Sequence, residues 1–200
     1  MENGDRVIKL PETMCNLFNL QTLELIECVV ALPKGIGKLV NLRHLCLGEP
    51  IILPKGLGKL TSLETLDCIK ISKGSHASFK KVMKLKDLRK LIKLKGCLSI
   101  YIGNVKDVEE AERAQLEEKE GLVDLVLDLY GLENMEDSTG QSVLLLEGLQ
   151  PHPNLKRLEI RHYYGTTKQQ HLAETRFPDG DYDLYEQENT LGSLEGSENL

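Results

Sequence analysis

"LPKGIGKLVNLRHLCL" at residues 32–47 and "LPKGLGKLTSLETLDC" at 53–68 are near copies set 21 residues apart. Both carry Gly-x-Gly-Lys, so the first question is whether they cradle phosphate. A phosphate loop needs Gly-x4-Gly-Lys-Ser/Thr, with backbone amides around the phosphates and the hydroxyl on magnesium. Here Leu32 and Leu53 stand where the first glycine must be, and Leu39 and Leu60 follow the lysines. Leucine cannot ligate magnesium. These glycines are expected instead to permit a tight turn within a longer repeating unit.

That unit is visible upstream as well. Leu10-Pro11, Leu32-Pro33 and Leu53-Pro54 recur at intervals of 22 and 21, and so do Leu17/Leu39/Leu60, Leu20/Leu42/Leu63 and Leu23/Leu45/Leu66. Leu25, Leu47 and Cys68 close the three copies, and Cys28 is expected to fill a core position in the first. L-x-x-L-x-x-L-x-L at this spacing is the leucine-rich-repeat pattern, each unit supplying one short strand and a return segment. Alternation in "TLEL" and "HLCL" turns the leucines inward and leaves Glu24 and Cys46 outward. A single unit cannot bury its apolar edge, whereas stacked units share one leucine core. The expected fold is therefore α/β: a solenoid with a curved parallel sheet on its concave side and helices or irregular segments on its convex side.

Beyond residue 70 the steps lengthen to about 27–33 residues, while the unit persists. "GCLSIYI" would place Leu98 and Ile100 inside, "GLVDLVLDLYGL" Leu125 and Leu127, and "HPNLKRLEI" Leu158 and Ile160. Asp107 with Glu110 has the form of a capping box opening a helix through "VEEAERAQLEEK". The leucine ladder ends near 165, so residues 1–165 form the repeat domain and 166–200 a polar, acidic, mostly disordered tail. No polar unit caps the first repeat, so the chain is expected to belong to a larger array or to follow another domain.

Composition narrows the function. The net charge of −6 gives no general pull toward nucleic acid, and no apolar run is long enough to span a membrane. Five cysteines without Cys-x-x-Cys, and no Asn-x-Ser/Thr, suit a reducing, cytoplasmic setting. The histidines are scattered without ligand spacing, and nothing recommends a nucleophile, so neither catalysis nor a metal or cofactor is expected. Residues 73–95 are strongly basic, which could make a nucleic-acid patch. The leucines at 85, 88, 91 and 94 instead organise that stretch as a core-facing segment, solvated outside and opposed by the acidic run 107–120.

The sheet's open face is the candidate binding surface. Its outward positions fall into three rows: Thr22, His44, Thr65, Cys97, Asp124 and Arg157; Glu24, Cys46, Asp67, Ser99, Val126 and Glu159; Ile26, Gly48, Ile69, Tyr101, Asp128 and Arg161. Apolar, acidic and basic side chains mixed on one platform suit protein recognition.

"LPETMCNLFNLQTLELIEC", "LPKGIGKLVNLRHL" and "LPKGLGKLTSLETL" resemble the repeats of plant intracellular nucleotide-binding immune receptors, the coiled-coil type especially. "LKGCLSIYIGNVKDVEEAERAQLEEKEGLVDLVLDLYG" and "LLEGLQPHPNLKRLEIRHYYG" are similar to the later repeats of that group, and the likeness spans roughly residues 7–165. The resemblance implies a disease-resistance sensor that binds a pathogen effector or a guarded host protein, or restrains a nucleotide-binding module. This chain carries no such module. After its last expected strand, "RFPDGDYDLY" keeps only Phe177-Pro178 of the usual continuation. A cytoplasmic scaffold of the Ras-pathway-related repeat type has similar "LPxxIGxLxxL" units, but keeps a uniform period that this chain loses after residue 96.

Overall fold

The computed structural model describes residues 8–25, 30–72, 82–103, 109–130, 138–163 and 181–185. Its strands are β1 (Ile8–Lys9), β2 (Thr22–Glu24), β3 (Val30–Ala31), β4 (His44–Cys46), β5 (Thr65–Leu66), β6 (Cys68–Ile71), β7 (Lys95–Ile102), β8 (Gly121–Asp128), β9 (Arg157–Arg161) and β10 (Asp181–Tyr185). All their pairings are parallel. The other side of each coil is built from 3-10 turns at Glu12–Asn16, Lys34–Lys38, Lys55–Lys59, Leu85–Lys90 and Leu116–Glu118, with two helices, α1 (Glu109–Glu112) and α2 (Ser138–Gly148).

Between the two sides runs a single leucine core from Leu32 to Tyr163. The residue that ends each turn plugs into it: Leu39, Leu60 and Leu91 are fully buried, each donating its N–H three residues back. Three residues on, Leu42, Leu63 and Leu94 donate to the plug carbonyls and turn the chain into the next strand. In the first described coil the same position is less covered; Leu17 is 53 % exposed.

The sheet is not one continuous ladder, as the sequence led one to expect. β2, β4 and β5 form one sheet, β6 through β10 a second, and β1 with β3 a third. The third arises because each of the first two coils also makes a short strand just before its Leu-Pro, which repeat spacing alone did not show. β7 is long enough to pair with β6 and also donate a bond at its start, from the Lys95 N–H to the Glu64 carbonyl.

The glycines of the opening motif act by closeness rather than by unusual torsion. Neither Gly37 nor Gly56 has a positive φ; only Gly48 and Gly96 do among the described glycines. A Cβ on Gly37 would stand 2.4 Å from the Gly56 carbonyl oxygen. The expected tight-turn role is thus corrected: absent side chains let consecutive 3-10 turns stack.

Other expectations change too. α1 is one short turn of helix rather than a helix through residue 119, and it carries Glu110. Its carboxylate takes Lys84 and Lys86 of the preceding coil at 2.8 and 2.9 Å. Two lysines of the basic segment thus face an acid of the acidic run, while Arg89, Lys90 and Lys93 of that segment stay exposed. Within the stretch read as a disordered tail, Asp181–Tyr185 adds a strand to β9, so the sheet continues past 165. Ile26, Cys28, Asp107, residues 73–81 and most of the tail lie outside the described residues.

Candidate functional site

Parallel stacking turns alternate strand positions into rows. The register aligns Thr22 with His44 and Thr65, and Glu24 with Cys46. Farther along it aligns Cys97 with Asp124 and Arg157, Ser99 with Val126 and Glu159, and Tyr101 with Asp128 and Arg161. These are the rows expected from the sequence within each half of the sheet.

Across the middle the rows slip by one. Ser99 pairs with Cys68, and Tyr101 with Lys70, not with Asp67 and Ile69. Ile69 consequently turns inward and is fully buried, so it is removed from the candidate surface. Lys70 takes its place, with its ammonium 4.9 Å from the Tyr130 ring centroid. No leucine spacing marks Lys70 as an outward position, because the slip occurs inside an apolar run.

Asp67 stands at the slip, between β5 and β6. Its carboxylate accepts the N–H groups of Leu47, Gly48 and Cys68 at 2.8–2.9 Å. Those amides would otherwise continue the β4–β5 ladder; a carboxylate ends it and fixes two coils together. Asp67 is thereby a structural residue rather than a free acid for a partner. Burial, with Asp67 close by, pushes the Cys68 thiol up to about 12.

Two more expected acids are consumed internally. Asp128 is buried, accepting the Tyr130 N–H at 3.1 Å and lying 2.7 Å from His162 Nδ1. Glu159 is buried between Arg157 and Arg161, its neighbours two positions away on β9. Burial alone would raise the Glu159 carboxyl, but the hydrogen bonds from Arg161 and Arg157 more than offset it and hold it below the ordinary value. Arg157 also reaches Asp124 at 3.3 Å, which extends the network to β8.

Outward groups remain. Thr22 and Glu24 are exposed, and His44 lies 3.0 Å from Thr65 through Nδ1 and Oγ1. Cys46, Ser99, Tyr101 and Val126 are half-buried, while Arg157 and Arg161 keep 40 % of their side chains exposed. Burial raises the Tyr101 phenol, so it stays a neutral hydrogen-bonding aromatic. Cys97 is exposed and free. The result is a small, mostly uncharged N-terminal field beside a C-terminal field whose two arginines are preset by a buried glutamate.

Among the described residues, no three His, Cys, Asp or Glu side chains group to hold a metal ion. No described helix is long and apolar enough to cross a membrane. A family model described as a leucine-rich repeat region matches residues 3–175. Among solved structures, the chain is similar to a leucine-rich-repeat protein of Leptospira interrogans, at 18 % identity and a TM-score of 0.43. The match covers 88 % of this chain and 52 % of that one, so this chain spans about half its length. No curated protein matches.

Proposed function

The chain belongs to the leucine-rich repeat region family, and from that premise we propose that it is a non-catalytic recognition module of the plant disease-resistance type. In this reading it works in the cytoplasm and binds a pathogen effector, a guarded host protein, or a nucleotide-binding module that these 200 residues do not contain. The observation that carries it is the outward row Lys70–Tyr101–Arg161 beside Ser99–Val126. It combines an aromatic, an apolar centre and charged groups already oriented by neighbours, which is the composition of an interface core. Coil length supports the immune-receptor type over a uniform scaffold. Side-chain hydrogen bonds between neighbouring coils span 21 residues at Arg43–Glu64 and 33 at Arg157–Asp124.

The test is association with a co-expressed nucleotide-binding module of the coiled-coil receptor class. Tyr101→Ala combined with Val126→Asp should weaken co-precipitation at least tenfold, about the loss expected on removing one interface anchor, with unchanged circular dichroism. Undiminished association would place the contact elsewhere. Reversing Asp67 or Glu159 is a poor test, because both hold the fold together.

A further inference from the structure

The turns opposite the sheet carry a second surface with the period of the repeat. Lys34 and Lys55 open successive 3-10 turns, and Lys38, Lys59 and Lys90 close them. All five are exposed, as are Arg89 and Lys93, and among the described residues none of their side chains is ion-paired; the acid that opens the first turn, Glu12, spends its carboxylate on the backbone N–H groups of Lys34 and Gly35. The stack is tight, since Gly37 and Gly56 touch through their backbones and Gly58 lies against Asp87. Like charges are therefore piled on one another in a chain whose overall charge is −6.

Two positions after the closing residue of each turn comes another exposed row: Phe18, Val40, Thr61 and Ile92. Phe18, Val40 and Ile92 are 55, 54 and 57 % exposed. The Asn41 side chain donates to the Phe18 carbonyl at 2.8 Å, which fixes the first two of these turns side by side. An apolar ridge thus runs beside a lysine row along one rim. In the next coil the same two positions are Glu118 and Glu120, so the patch stops there by reversal of charge.

We propose that this rim docks on an anionic lipid surface, with the lysines and Arg89 over the headgroups and Phe18, Val40 and Ile92 in the interface. Lysines beside shallow apolar side chains are what such a surface rewards: charge attracts, and apolar area anchors. Nucleic acid fits less well, since three exposed aliphatic or aromatic groups would face phosphates with little to stack on. The rim lies opposite the sheet, so docking leaves the recognition face open.

Co-sedimentation of the 200-residue chain with phosphatidylcholine vesicles, with and without phosphatidylserine, tests this. Binding should require phosphatidylserine and fall steeply with salt. Lys38→Glu, Lys59→Glu and Lys90→Glu together should lower the partition coefficient at least roughly a hundredfold. Val40→Ser with Ile92→Ser should lower it about tenfold or more while preserving the salt dependence. Tyr101→Ala with Val126→Asp should not alter it, which separates this surface from the sheet face. Absence of pelleting, pelleting indifferent to phosphatidylserine or to the lysine changes, or lysine-dependent retention on duplex DNA without vesicle binding would each overturn the proposal. All substituted positions on the rim are exposed, and circular dichroism checks the fold.

Discussion

Lys119 ends the turn Leu116–Glu118 with the geometry that Leu39, Leu60 and Leu91 have at theirs, and Leu122 donates back to its carbonyl as Leu42 does to Leu39. A lysine therefore occupies the plug position of the fifth coil, fully buried, its ammonium 3.4 Å from the Gln115 carbonyl. Burial drives its pKa down to about 8, against a partial pull upward from Glu118. Because the folded chain binds that proton less tightly than the unfolded chain, stability should rise between pH 8 and the unfolded value of 10.5. The gain amounts to about 3 kcal/mol. Urea titrations should show that rise in the wild type and not in Lys119→Leu, which should also be the more stable protein at pH 7. A pH-independent wild type would mean the ammonium reaches water. At the same scale, Asp67→Ala should cost about 2–4 kcal/mol, since it leaves three backbone amides without their acceptor. Thiol mapping by mass spectrometry should find Cys97 alkylated first and Cys15 and Cys68 protected, the latter by burial and a thiol pKa near 12.

At the level of elements, the leucine spacing made strands, plugs and core sides readable, because one residue type at one period has one physical use. Departures were hidden wherever a different residue does the same job or the same residue a different one. Lys119 at a leucine site, Asp67 standing in for a strand, and Ile69 turned inward by the slip at Asp67 leave no mark in the spacing. The candidate rows hold within each half of the sheet because alternation is local; they fail between halves because the register slips by one at Asp67. The glycines were visible but misassigned, since spacing cannot tell a turn that needs positive φ from one that needs a bare backbone. Gly37→Ala decides between those roles. A methyl group 2.4 Å from the Gly56 carbonyl must push two turns apart, at a cost of about 1–3 kcal/mol. A merely turn-forming glycine with negative φ would accept alanine at no loss. Glu64 tells a similar story for charge: hydrogen bonds from Lys95 and Arg43 lower its carboxyl to about 2. Its bridge across three coils is thus kept above the ordinary carboxylate range and given up only as pH falls from about 4.5 toward 2.

For the whole molecule, the consequence of stacking is that each described coil is covered by its neighbours. The described contacts are those of a one-dimensional array, strand on adjacent strand and turn on adjacent turn. Cover is uneven along it. Leu45 and Leu66 are buried between coils, whereas Leu23, their counterpart in the first coil, is only partly buried. Truncating equivalent leucines should therefore not cost the same. Leu66→Ala removes a fully enclosed side chain and should lose about 2–5 kcal/mol. Leu23→Ala opens a space that water already borders, and should lose less than half as much. Urea midpoints at unchanged slope would measure both losses. Hydrogen exchange adds a spatial check: β2 amides should exchange ahead of those in β7 and β8, which lie between partners on both sides. Equal losses for the two leucines, with uniform protection from β2 to β8, would mean the first coil is covered in solution as fully as the third, and the nearest-neighbour account of this solenoid would have to be given up.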